Sequence, residues 1–115
     1  MRLQTFDQLN KLRTELPGVM EEVMELFIGD APRQLREIEQ AYTDADAGAL
    51  RQSAHYLRSG ALALRLEWIA EQAHRLEFLS VDDFGDPNST RLLNNLRAEL
   101  GEVISSLQDE LDSGA

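Results

Sequence analysis

Hydrophobic positions repeat at helical spacing from one end of the chain to the other, and no alternating β-branched run suggests a strand. Phe6, Leu9, Leu12 and Leu16 share one face of a first short helical segment. Pro17 then suits the first turn of a second helix, where its missing N–H costs nothing. This helix is predicted to run to about Ala45, with Ile28, Ala31, Leu35, Ile38, Tyr42 and Ala45 spaced 3-4-3-4-3 along a packing seam. Asp30-Ala31-Pro32 falls inside it, so a local kink is expected there, with Asp30 able to cap a restart. Val19, Val23 and Phe27 form a second apolar row, which either meets the first helix or offers a surface for a partner.

Asp46 is the expected N-cap of a third helix from Ala47 to about Leu64, whose seam is Leu50, Ala54, Leu57, Ala61 and Leu64. A fourth is predicted from about Leu66 to Leu79, with Leu66, Ile69, Ala73 and Leu76 inward. Ser80 to Asn88, rich in Asp, Gly and Pro, is the one clear loop. Asn88 or Ser89 is the expected cap of a last helix, in which Leu93, Leu96, Leu100, Val103, Leu107 and Leu111 recur at bundle spacing. Ser113-Gly114-Ala115 is expected to fray. The fold class that follows is all-α: an antiparallel four-helix bundle with an additional short N-terminal helix packed across one end.

Composition narrows the picture. A chain of 115 residues, 43% hydrophobic and 28% charged, makes one domain spanning residues 1–115, with one core. It has no cysteine, which excludes disulfides and thiolate metal sites. No stretch is long or apolar enough for a membrane span and no signal-peptide pattern opens the chain, so a cytoplasmic monomer is expected. The net charge of −10 opposes binding to nucleic acid or to anionic lipid.

Against that charge, one segment stands out: Leu50-Arg51-Gln52-Ser53-Ala54-His55-Tyr56-Leu57-Arg58-Ser59-Gly60-Ala61-Leu62. At about 100° per residue, His55 points roughly 140° from the seam of its own helix and is expected in solvent. Arg51 lies at i−4, Arg58 at i+3 and Ser59 at i+4, all side-chain neighbours of His55 on the helix, with no acidic residue among them. An imidazole has a nucleophilic nitrogen near neutral pH. Guanidinium groups beside it disfavour a charged ring and can pair with phosphoryl oxygens. Ser59 and Gly60 are small, leaving room for another protein, and a glycine in mid-helix costs about 1 kcal/mol relative to alanine.

The run Ala54-His55-Tyr56-Leu57-Arg58-Ser59-Gly60-Ala61 resembles the Ala-His-x-Leu-Lys-Gly-Ser motif around the phosphorylated histidine of histidine-containing phosphotransfer domains. Phe27-Ile28-Gly29-Asp30-Ala31-Pro32 is similar to that family's Phe-Leu-x-Asp-Ala-Pro. Ala45 to Leu50 resembles its helix connection, and Ala73-His74-Arg75-Leu76-Glu77 its Cys/Ala-x-x-Leu-Glu signature. The resemblance implies a covalent phosphoryl carrier rather than an enzyme, with His55 as phosphoacceptor. It places Arg58 where the family has lysine, and the near-site support falls to Arg58, Ser59, Arg51 and Gly60. Val23, Phe27 and Leu62 are the expected docking residues. The implied partners are receiver domains of response regulators, and a hybrid histidine kinase as a further partner. The chain itself is expected to need no cofactor, since the receiver supplies the aspartate cluster and Mg²⁺. Two departures are visible: Ser59-Gly60 reverses the family's Gly-Ser, and Arg65 stands where glycine is common.

Two other readings compete. Glu71-Gln72-Ala73-His74 is a Glu-x-x-His sequence of the kind that ligates metal in di-iron bundles. A second copy is needed, and Gln52 occupies the matching position before His55, so no metal site is expected. No nucleophile triad or glycine-rich phosphate loop is present. The remaining alternative is a divergent helical scaffold that is never phosphorylated.

Overall fold

The computed structural model describes residues 18–113, which form four α-helices and one 3₁₀ turn. Helix α1 spans Val19–Thr43, α2 Ala47–Ala63, α3 Glu67–Glu77 and α4 Pro87–Ser113, with the 3₁₀ turn at Val81–Asp83. The short first helix predicted over Phe6 to Leu16, and the start assigned to Pro17, lie outside the described residues, as do residues 114–115 of the predicted frayed end. Helix α1 packs mainly on α2, α2 on α3, and α4 closes the bundle against α1 and α3. Three-residue connections at Asp44–Asp46 and Leu64–Leu66 reverse the chain, so successive helices run antiparallel.

Seams read from the sequence meet in the core. Leu50, Ala54, Leu57, Ala61 and Leu64 are all fully buried, as are Ala73 and Leu76 from α3 and Leu96, Leu100 and Leu107 from α4. Each leucine so buried contributes about 1.5–3 kcal/mol relative to an exposed one. In α1 the buried row is Met20, Met24, Phe27, Ala31, Ile38 and Ala41, while Ile28, Leu35 and Tyr42 sit half-buried at its flank. The seam therefore lies slightly round from the predicted one. The helix runs unbroken through Pro32, which lacks the N–H that would bond the preceding turn.

Helix ends account for the remaining differences. Helix α1 stops at Thr43 rather than Ala45, and Ala45 is exposed with φ 54° instead of sitting in the seam. The Asp46 N–H bonds the Ala41 carbonyl at 2.9 Å and the Ala45 N–H bonds Tyr42 at 3.2 Å, the paired bonds of a Schellman end. Helix α2 ends the same way: Leu66 bonds Ala61 at 2.8 Å, Arg65 bonds Leu62 at 3.0 Å, and Arg65 takes φ 56°. This is why glycine suits position 65, since a left-handed residue with a Cβ costs roughly 1–2 kcal/mol. Asp46 caps α2 as predicted, accepting from the Ala49 N–H at 3.1 Å.

The cap of α4 is Asp86, not Asn88 or Ser89. Its carboxylate accepts from the Asn88 N–H at 2.8 Å, its carbonyl from Thr90 at 3.0 Å, and Pro87 takes the first helical position. Ser89 is buried instead. Its hydroxyl lies 2.6 Å from the Asp83 carbonyl and 2.9 Å from that of Asp86, so it accepts from the Tyr42 phenol at 2.9 Å. The phenol oxygen in turn accepts from the Gly85 N–H and the Thr90 hydroxyl, both at 2.9 Å. Burial works to raise the Tyr42 pKa, but the hydrogen bonds with Ser89, Thr90 and Gly85 outweigh it and hold the phenol below its ordinary 10.0. The segment predicted as open loop is thus pinned to the end of α1.

Candidate functional site

His55 projects from the middle of α2 with its side chain 53% exposed, as the helical geometry requires. Arg58 and Ser59 lie one turn further along α2 and Arg51 one turn back. The face is not purely cationic, however. Helix α3 brings Glu77 against it, with the Glu77 side chain only 8% exposed. Its Oε1 lies 2.9 Å from His55 Nδ1 and its Oε2 3.0 Å from Arg58 Nε. The second contact is an ion pair off the hydrogen-bond direction, because neither atom gains a directed partner.

The contacts decide the protonation pattern. A carboxylate oxygen accepts, so the short bond to Glu77 is made by a proton on His55 Nδ1. In the neutral ring the Nε2 lone pair then has no partner among the described residues. Arg58 Nη2 stands 3.3 Å from Nδ1 and cannot donate to a nitrogen already carrying hydrogen. Its Nη1 donates instead to Nδ1 of His74 at 2.9 Å, which leaves the His74 proton on Nε2. The two histidines consequently hold opposite tautomers. One presents an unused lone pair at its outer nitrogen, and the other spends its lone pair on an arginine.

Other predicted site residues are distributed as follows. Arg51 lines an open cavity of about 430 Å³ beside His55, together with Gly48, Gln52, Tyr56 and Glu77. The Ser59 hydroxyl donates back to the His55 carbonyl at 3.1 Å, so its proton serves the helix rather than the ring. Gly60 does not open space beside His55. A Cβ there would meet Cδ1 of Phe27 at 3.3 Å, and the glycine is explained by the close approach of α1 and α2. Phe27 is correspondingly buried, 5% exposed, and its reading as a surface docking residue is corrected: it packs in the core. Val23 is half-buried and, with Leu26, Phe27 and Gly60, lines a separate cavity of about 280 Å³ between α1 and α2. Leu62 is 51% exposed on α2.

Sequence reasoning missed the parts played by Glu77 and His74. Their i, i+3 spacing puts both on one face of α3, but only packing shows that this face meets His55. The metal reading gains no geometry either: among the described residues no group of three or more His, Asp or Glu side chains is arranged to hold an ion.

Comparison with known proteins agrees with this architecture. A sequence profile described as Hpt domain matches residues 22–113. Among solved structures, the chain is similar to histidine-containing phosphotransfer protein B from Pseudomonas aeruginosa PAO1, with a TM-score of 0.77 and 21% sequence identity. That match covers 93% of this chain and 92% of the other, and at this identity it speaks to the fold. No curated protein matches the chain.

Proposed function

The chain belongs to the Hpt domain family, and from that membership and the geometry of His55 we propose that it carries a phosphoryl group on His55 between receiver domains of response regulators. Hpt domains are phosphocarriers in two-component signalling, working with response-regulator and kinase partners. The observation that supports His55 as the carrier is its pairing with Glu77, which engages Nδ1 and leaves Nε2 of the half-exposed ring without a partner among the described residues.

In the proposed step, the Nε2 lone pair attacks the phosphorus of a phospho-aspartyl receiver in line. The N–P bond forms as the P–O bond to the aspartate breaks, and the carboxylate leaves with that electron pair. The Nδ1 proton stays in its bond to Glu77, whose negative charge offsets the positive charge gained by the ring. Reversal delivers the group to a second receiver. The chain contributes position and electrostatics; the aspartate cluster and its Mg²⁺ belong to the partner, and no cofactor is needed on this chain. None of the helices in the described residues is long and apolar enough to cross a membrane.

Incubation with a panel of phosphorylated receivers tests the proposal. Wild type should acquire acid-labile, alkali-stable label, and His55→Gln should acquire none while remaining folded, with the altered bond to the nearly buried Glu77 costing no more than about 1–3 kcal/mol. Label on another residue, or equal label on the variant, rejects it. Function retained without any label would return the chain to the class of helical scaffolds.

A further inference from the structure

Two arginines flank His55, and they are not equivalent. Arg58 is 30% exposed and already engaged: Nε pairs with Glu77 at 3.0 Å and Nη1 donates to His74 at 2.9 Å. These contacts hold its guanidinium at the Nδ1 edge of the His55 ring, 3.3 Å away, which is the edge opposite the free nitrogen. Moving it to a group on Nε2 would strip a nearly buried carboxylate of its ion-pair partner, a costly exchange.

Arg51 is in the reverse situation. It is exposed and makes no hydrogen bond or ion pair among the described residues. It lines the cavity of about 430 Å³ that also takes in His55, Gln52 and Tyr56. Side chains on a helix lean toward its N-terminus, so a group attached to His55 lies over the turn carrying Arg51 and Gln52. The Gln52 amide donates to the Tyr56 hydroxyl at 3.3 Å, which leaves the phenolic proton free to donate.

We propose that Arg51 is the residue that binds the phosphoryl group on His55, in the cavity it shares with Gln52 and Tyr56, and that Arg58 is a positioning residue acting through Glu77 and His74. This rests on the reading of His55 as phosphoacceptor. It differs from the motif resemblance, which gives the cation at position 58 the leading place.

Phosphoramidate as phosphodonor tests the division of labour without any partner protein. The His55 Nε2 lone pair forms the new N–P bond while the P–N bond of the donor breaks and ammonia leaves. In the full chain, Arg51→Gln should slow labelling of His55 about tenfold, the scale of one hydrogen bond to a charged group, and Arg51→Lys should recover part of the loss. The Arg51 side-chain Nε–H resonance should shift on labelling. Arg58→Gln should instead lower the Nδ1–H tautomer fraction in the ring ¹⁵N shifts of unlabelled His55, a signal Arg51→Gln leaves unchanged. Labelling of His55 at the wild-type rate in Arg51→Gln, with no movement of the Arg51 resonance, overturns the proposal and leaves the phosphoacceptor reading intact. Absence of label on wild-type His55 overturns both.

Discussion

Two polar joints flank the connection between α3 and α4, and they use hydrogen bonding to opposite ends. At one, Tyr42, Gly85, Ser89 and Thr90 tie the end of α1 to the start of α4 through neutral groups whose donors and acceptors are matched. At the other, Glu77 at the end of α3 gathers His55 and Arg58 from α2 and stands 3.5 Å from His74. There Arg58 Nε and Glu77 Oε2 meet only as an ion pair, and the lone pair on His55 Nε2 has no partner among the described residues. A joint whose polar groups are all satisfied holds structure; a joint with one nucleophilic nitrogen unsatisfied and facing water is ready for chemistry.

Breaking the second joint has the largest expected effect. Glu77→Gln keeps the shape of the side chain but removes the charge that fixes the His55 proton and neutralises Arg58. The rate of phosphohistidine formation should fall by about ten- to a hundredfold, the scale of losing the carboxylate partner that orients a metal-ligating histidine. Labelling kinetics beside circular dichroism check that the loss is chemical and not unfolding.

Breaking the first joint should do the reverse. Tyr42→Phe strands the Gly85 N–H and removes the donor to Ser89, so urea unfolding should show a loss of about 1–2 kcal/mol. The labelling rate of the folded protein should stay at the wild-type value. A variant that lost labelling while remaining folded would show the joints to be coupled.

A smaller change sharpens the contrast by relieving strain away from both joints. Ala45 is exposed at φ 54°, with no buried side chain to lose. Ala45→Gly should raise stability by about 0.5–1 kcal/mol in the same urea titration and leave labelling untouched.

The smallest effect concerns pH. The Tyr42 phenol is held below 10.0 in the folded chain by its hydrogen bonds, so the folded state favours the ionised form more than the unfolded chain does. Its contribution is present above the unfolded value and is lost as pH falls through the folded one. Stability should therefore rise slightly as pH is raised toward 10.0, and Tyr42→Phe should abolish that rise.

Much of this molecule is legible without coordinates because helices are periodic. The buried row from Leu50 to Leu64, the Asp46 cap and the outward direction of His55 all follow from a fixed angle per residue and from local hydrogen bonding. The same rule placed Arg51, Arg58 and Ser59 beside the histidine. It erred at helix ends, where Ala45 and Asp86 are governed by single dihedral angles and single hydrogen bonds that periodicity does not register.

What the sequence by itself determined is thus the set of helices, their inward faces and one exposed imidazole among arginines. Only the tertiary structure decided that Glu77, 22 residues from His55, completes the site. It also decided that Gly60 makes way for Phe27 and that Arg58 is spoken for, while Arg51 has no partner among the described residues. The physical reason is range. Helix periodicity and capping act within a few residues, whereas the choice of which two faces meet belongs to the packing of the whole core, and the charges on those faces follow from it.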